Sequence, residues 1–259
     1  MMGKIIQGVA ALTLVTAAAV QADDSGPQDG VTLGVGAQYA PRYSGSDTLR
    51  LQPVPVLQAR QGAFFADAQK GIGYDLQSAN GIYLEHTLGY GLGRADRNSD
   101  WRDGADRLSG MGNIAATVNT GLALGWQMTP WFSIEGKAVL PLSDSQGVNY
   151  QASFTLVPLQ SQSDTVALQT AALFGDGRYM NTWYGVSEQQ SQRSRFNRYD
   201  AAAGFYGTNT SLLWNHQFDA HWGTLVSAGY TWLGDHAANS PLVARRNEGT
   251  GLLAITYTF

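Results

Sequence analysis

The sequence predicts an all-β protein: a transmembrane, antiparallel, up-and-down β-barrel of about twelve strands in the outer membrane of a Gram-negative bacterium. Three observations predict it. Apolar residues alternate with small or polar ones through nearly all of residues 31–259. Residues 1–22 read as a secretory signal peptide. The chain closes on a strand that places Leu253, Ile255, Tyr257 and Phe259 on one face and Ala254, Thr256 and Thr258 on the other. The first face suits lipid and the second a crowded interior. That strand alone would also fit the core of a soluble sandwich, and the export signal decides between the two.

The signal peptide carries one charge, Lys4, then an apolar stretch from Ile5 to Val20, then Val20-Gln21-Ala22 at the positions a signal peptidase reads. Gln7 and Thr13 interrupt the stretch, and Asp23-Asp24-Ser25 follows it without a positive flank, so it is a poor spanning helix. Cleavage after Ala22 leaves a short periplasmic segment, 23–30, and a barrel, 31–259. The chain has no Cys, which excludes a lipoprotein anchor, disulfides and thiolate chemistry. Losing Lys4 moves the formal charge from −4 to −5, which argues against a nucleic-acid partner. Only 14% of residues are charged, yet no mature segment is long and apolar enough for a spanning helix. Barrel strands need only half their residues apolar, which reconciles the two.

The alternation places strands near 31–40, 50–59, 62–68, 71–77, 81–94, 111–127, 131–141, 147–158, 164–174, 201–218, 221–233 and 248–259. The first has Val31, Leu33, Val35, Ala37 and Tyr39 on one face. Residues 63–77 could instead form one long strand, and ten strands is then the fallback. Pro53 and Pro55 remove two N–H donors from the second strand and belong at a bulge or a locally opened ladder. No comparable window keeps a helical period. Short turns at 60–62, 78–81, 128–130, 160–164 and 219–221 alternate with long polar stretches at 41–50, 95–110, 175–200 and 234–248, which places the long ones outside the cell. Trp126, Trp131, Phe218 and Trp222 flank the periplasmic turns and Tyr230 and Trp232 approach the outer end, the distribution of an interfacial girdle.

The same period turns Asp67, Asp75, Glu85, Glu135 and Lys137 toward the lumen. Four acids against one base form either an acidic conduit for cations or, with inward Arg not yet placed, a plugged interior; the second is preferred for a barrel this narrow. His86 falls on the lipid face. Asp235, His236 and Ser240 share an outer loop, and His216, Asp219 and His221 bracket a periplasmic turn; neither spacing carries a mechanism, and no enzyme activity, metal or cofactor is expected. Interleaved Asp and Arg over 95–107 neutralise one another on a loop suited to lipopolysaccharide or to plain solvent.

Several segments resemble the MipA/OmpV family of outer-membrane proteins. They are Gly34-Val35-Gly36 through Pro41-Arg42-Tyr43-Ser44-Gly45-Ser46, Pro53-Val54-Pro55, Gly71-Ile72-Gly73, Tyr184-Gly185-Val186-Ser187, Gly234-Asp235-His236 through Ser240-Pro241-Leu242-Val243, and the final Tyr257-Thr258-Phe259. The resemblance implies a scaffold that links a murein transglycosylase and a murein synthase to the outer membrane. It also implies recognition of Leu253, Ile255, Tyr257 and Phe259 by the barrel-assembly machinery. A narrow porin-like channel and an adhesin acting through the outer loops are the competing readings. The motif residues Tyr184, Gly185, Val186, Ser187, Gly234, Asp235, Ser240 and Pro241 sit where they would fold the loops over the barrel mouth or serve as simple turn formers. Lipid and lipopolysaccharide complete the expected partners.

Overall fold

In a computed structural model, residues 29–143 and 145–259 are described; the signal peptide and most of the segment 23–30 lie outside the described residues. The chain runs through β1 (Gly30–Pro41), β2 (Leu49–Gln61), β3 (Phe64–Asp67), β4 (Gly71–Gln77) and β5 (Ile82–Gly91). A long outer loop follows, holding β6 (Arg94–Ala95) and β7 (Asp103–Gly104). Then come β8 (Thr117–Thr129), β9 (Phe132–Pro141), β10 (Asn149–Gln160) and β11 (Asp164–Gly175). The helices α1 (Gly177–Tyr184) and α2 (Glu188–Arg193) precede β12 (Gly204–Gln217) and β13 (Trp222–Leu233), and α3 (Asp235–Ala238) precedes β14 (Asn247–Thr258).

Twelve of these strands close into one barrel, each next to its sequence neighbour, and β14 returns to β1 through pairs such as Leu33 with Tyr257 and Ala37 with Leu253. Closure satisfies the backbone where lipid offers no hydrogen bonds. The twelve-strand count holds, with 63–77 divided into β3 and β4. Exposure alternates along the strands as the period of two requires: in β2, Leu49, Leu51, Pro53, Pro55 and Leu57 are exposed while Arg50, Gln52, Val54 and Val56 are buried.

The outer ends depart from expectation. β8 starts at Thr117 rather than 111, β5 stops at Gly91 rather than 94, and β12 starts at Gly204 rather than 201. Alternation at Ile114 and Ala116 continues into the loop because Ile114 bridges to Arg94 there. The stretch 175–200, expected as loop, contains two helices. Asp176 caps α1 by accepting from the Tyr179 N–H, and Ser187 and Gln190 form a reciprocal capping box on α2.

β3 has only four residues. It pairs with β2 from Gln58 to Gln61, and the Ala68 N–H reaches the Leu57 carbonyl just above. Beyond that point no strand among the described residues lies on this side of β2, so the ladder is open from Leu49 to Val56. Pro53 and Pro55 sit on that open edge.

Candidate functional site: a sealed mouth over a paired interior

The outer loops pack across the barrel mouth in two apolar clusters. One joins Tyr43 from the β1–β2 loop, Ala105, Leu108 and Met111 from the β5–β8 loop, Val186 and Phe196 from the β11–β12 loop, and Leu242 from the β13–β14 loop. The other packs Met180, Tyr184 and Ala201 against Tyr206, Leu233 and Ala237. Four loops distant in sequence thus share one core. Such a core forms when each loop carries apolar residues that water would otherwise meet.

Polar contacts lock the clusters together. The Tyr43 hydroxyl donates to the Leu242 carbonyl at 2.9 Å. The Tyr184 hydroxyl lies 3.0 Å from Ser44 Oγ, and Ser240 Oγ donates to the Tyr184 carbonyl. Arg94 is only 4% exposed; its guanidinium donates to the Trp183 carbonyl at 2.6 Å and lies over the rings of Tyr43 and Trp183. Burial raises the Tyr184 phenol well above its ordinary range, which keeps it a neutral hydrogen-bonding group.

The motif residues are the joints of this seal. Tyr184 ends α1, and Gly185 returns its N–H to the Asn181 carbonyl at 3.1 Å; a Cβ on Gly185 would stand 2.5 Å from that oxygen. Val186 is buried and exchanges backbone hydrogen bonds with Tyr199, and Ser187 caps α2. Gly234 donates to the Tyr206 carbonyl and begins α3, Asp235 pairs with Arg246 at 2.6 Å, and the Pro241 carbonyl accepts from Arg107 at 3.4 Å. Asp235 and Ser240 are therefore committed to separate partners and form no triad with His236.

A strut ties the β5–β8 loop to the wall. Arg50 on β2 reaches the Asp103 carboxylate at 2.7 Å and the carbonyls of Ser99 and Arg102. Burial pushes the Asp103 carboxyl up to about 6, outweighing the Arg50 guanidinium beside it. The closed loop therefore holds this proton more tightly than an open loop would. Its contribution to closure is fully present below the ordinary carboxylate pKa and is lost as pH rises through about 6. Amide exchange over residues 99–104 is expected to quicken between pH 5 and pH 7 beyond its intrinsic pH dependence, and Asp103→Asn is expected to remove that excess.

Below the seal the interior charges are paired. Arg60 grips Asp75 through two bonds of 3.0 and 2.6 Å, and Lys70 meets Glu85 at 2.7 Å with Lys137 at 4.0 Å on its other oxygen. The Tyr83 hydroxyl donates to Glu135 at 2.8 Å. Its ring crosses the intervening strand over Gly125, where a Cβ would fall 2.1 Å from the ring. Ala123, between Glu85 and Lys137 in the register, likewise leaves the lysine room to reach. Asp67 accepts from the Gln69 and Lys70 N–H groups and caps the β3–β4 turn. Arg60 and Lys70 are the inward bases that alternation alone did not place. Both sit at hairpin ends, from which long side chains reach inward.

On the outer surface His86 lies 2.9 Å from the Thr120 hydroxyl and beside Tyr74. At the periplasmic end His216 bonds Asp164 at 2.8 Å while His221 bonds the Thr258 carbonyl and stacks on Tyr257. Asp219 accepts from the N–H groups of His221 and Trp222, which holds its carboxyl below the usual range. These histidines thus serve different partners, and among the described residues no three His, Cys, Asp or Glu side chains gather as metal ligands. Leu253, Ile255 and Phe259 face outward, Phe259 with 72% of its surface exposed, and Tyr257 packs edge-on against Trp222 and Phe259.

Comparison with known proteins agrees with this architecture. The outer membrane protein YiaT of Escherichia coli O157:H7 is 24% identical over 188 residues, covering 67% of this chain and 75% of YiaT. YiaT of Escherichia coli strain K12 is 25% identical over 131 residues, covering 50% of this chain and 52% of that protein. Among solved structures, the COG4313 outer membrane channel from Pseudomonas putida F1 superposes with a TM-score of 0.51 at 14% identity, covering 92% of this chain and 99% of the channel, a likeness of fold. The family described as MltA-interacting protein MipA matches residues 33–259. The chain belongs to the MipA family and is an outer-membrane β-barrel.

Proposed function

We propose that this barrel is a scaffold rather than a diffusion pore, holding a murein transglycosylase of the MltA type, and through it a murein synthase, at the inner face of the outer membrane. The observation that carries this reading is the seal: four loops share an apolar core across the mouth. The paired interior charges support it, because ion pairs spanning β2, β4, β5 and β9 leave few groups free to escort an ion. The family description names MltA as the interacting protein, which supports a partner of that type. The outward face of β14, with Leu253, Ile255, Tyr257 and Phe259, is assigned to recognition by the barrel-assembly machinery on the same reading.

One observation favours a narrow channel instead. Arg60, Asp75 and Lys70 are only half-buried, so these interior charges stay within reach of solvent. Planar-bilayer recording separates the two. The scaffold reading expects no steady conductance from the intact barrel. A cation-selective conductance that falls in Glu85→Gln or Glu135→Gln would establish the channel.

A further inference from the structure

The open ladder beside β2 is a built feature of the wall. In an antiparallel pair, alternate residues direct both N–H and C=O to the same neighbour. The Ala68 N–H bonds the Leu57 carbonyl, so the odd-numbered residues of β2 face the β3 side. Pro53 and Pro55 are therefore the residues whose N–H groups would point into the opening. Roughly 25 Å of strand edge, Leu49 to Val56, is left without a ladder partner, and two of its four donors are removed by sequence. An edge designed for pairing keeps its donors. This one is blunted against a second strand, which excludes closure by another copy's β-strand.

The opening has definite margins. β2 forms one side, with Leu51 71% exposed and Pro53 and Pro55 facing the bilayer. The β3–β4 turn at Ala68–Lys70 forms the floor, where Tyr90 donates to the Ala68 carbonyl. The outer end of β5 beyond its last pair with β4, Leu88 with Ile72, forms the other side, with Tyr90 outward. On the interior face of that end Gly89 and Gly91 carry no side chain. Residues 99–104 close the top, held there by Arg50. That loop presents Trp101, exposed, and Arg102, whose guanidinium makes no ion pair among the described residues.

We infer that this window is a docking slot for one acyl chain of an outer-leaflet phosphoglycolipid, with Trp101 and Arg102 receiving its phosphorylated sugar. The slot continues the lipid-facing belt, so hydrocarbon is the medium that meets it. The loop at its upper end adds what a bare alkyl chain does not need: Arg102, without an ion pair among the described residues, and the exposed aromatic side chain of Trp101. A phosphorylated, multi-acyl glycolipid matches both.

The test uses the intact barrel in detergent, with lipid A as probe and phosphatidylethanolamine as control, read by native mass spectrometry. One retained lipid A is expected, and Arg102→Gln should weaken retention about tenfold, the scale of one charge-assisted contact. Equal retention by the variant, or equal retention of the control lipid, overturns the inference. A second measurement needs no variant: lipid A carrying a photoreactive acyl chain should label residues 51–57 and 88–91 above all others. Labelling spread evenly around the barrel overturns the slot even where retention is selective.

Discussion

Removing residues 177–199, with Asp176 joined to Asp200, is expected to turn a silent barrel into a conducting one. The deleted segment carries Met180, Tyr184, Val186 and Phe196, which contribute to both clusters across the mouth. It also carries Trp183, whose carbonyl and ring hold the buried Arg94. Without them Arg94 loses its main acceptor, and the charge draws water into the mouth. The strands below are untouched, since β11 and β12 pair through residues 164–175 and 204–216 without help from the loop. Single-channel recording checks the effect. A deletion variant that folds, shows heat-modifiable migration on gels and stays electrically silent would mean that the interior, not the loop core, closes the barrel.

Lys70→Met is expected to destabilise the barrel by about 1–2 kcal/mol, below the usual cost of stranding one member of a fully buried ion pair because Lys70 is only half-buried and Lys137 stays near Glu85. Glu85 is 9% exposed and takes its short contact from Lys70, while Lys137 stands off at 4.0 Å. The same lysine lies over the Phe65 ring and follows the Asp67-capped turn, so its loss also loosens the floor beneath the window. Adding Glu85→Gln should recover part of the loss, because the stranded charge is then gone. Urea unfolding in lipid vesicles measures both variants. Equal stability of Lys70→Met and the unaltered barrel would show that water already solvates Glu85.

The wall of the barrel was legible because alternation is a local signal. Each strand has to set lipid against interior residue by residue, so the period of two survives in β1, β8 and β13 without any knowledge of their partners. The short β3–β4 hairpin was legible only as one of two options, since 63–77 also fitted a single long strand. Pro53 and Pro55 marked a bulge or an opened ladder because a missing donor is visible in sequence; that it is an opened ladder, facing β3, needed the register. The mouth was less legible. Continued alternation at Ile114 extended β8 too far, since a bridge to Arg94 imposes the same period outside the membrane. The helices left traces that the period of two does not carry: Asp176 before Tyr179, Met180 and Tyr184 four residues apart, and the Ser187–Gln190 box. The clusters themselves join residues up to 199 positions apart, as Tyr43 and Leu242 are, and no local pattern announces such a pairing.

On the scaffold reading the barrel acts through its surfaces, and the periplasmic turns between the strands are short. The scaffold account is tested most directly by affinity capture of the full-length barrel from envelope extracts, with an unrelated outer-membrane barrel as the reference. It predicts that a murein transglycosylase of the MltA type co-purifies well above the reference and that a murein synthase follows when the transglycosylase is present. Capture of murein enzymes no higher than the reference would contradict it.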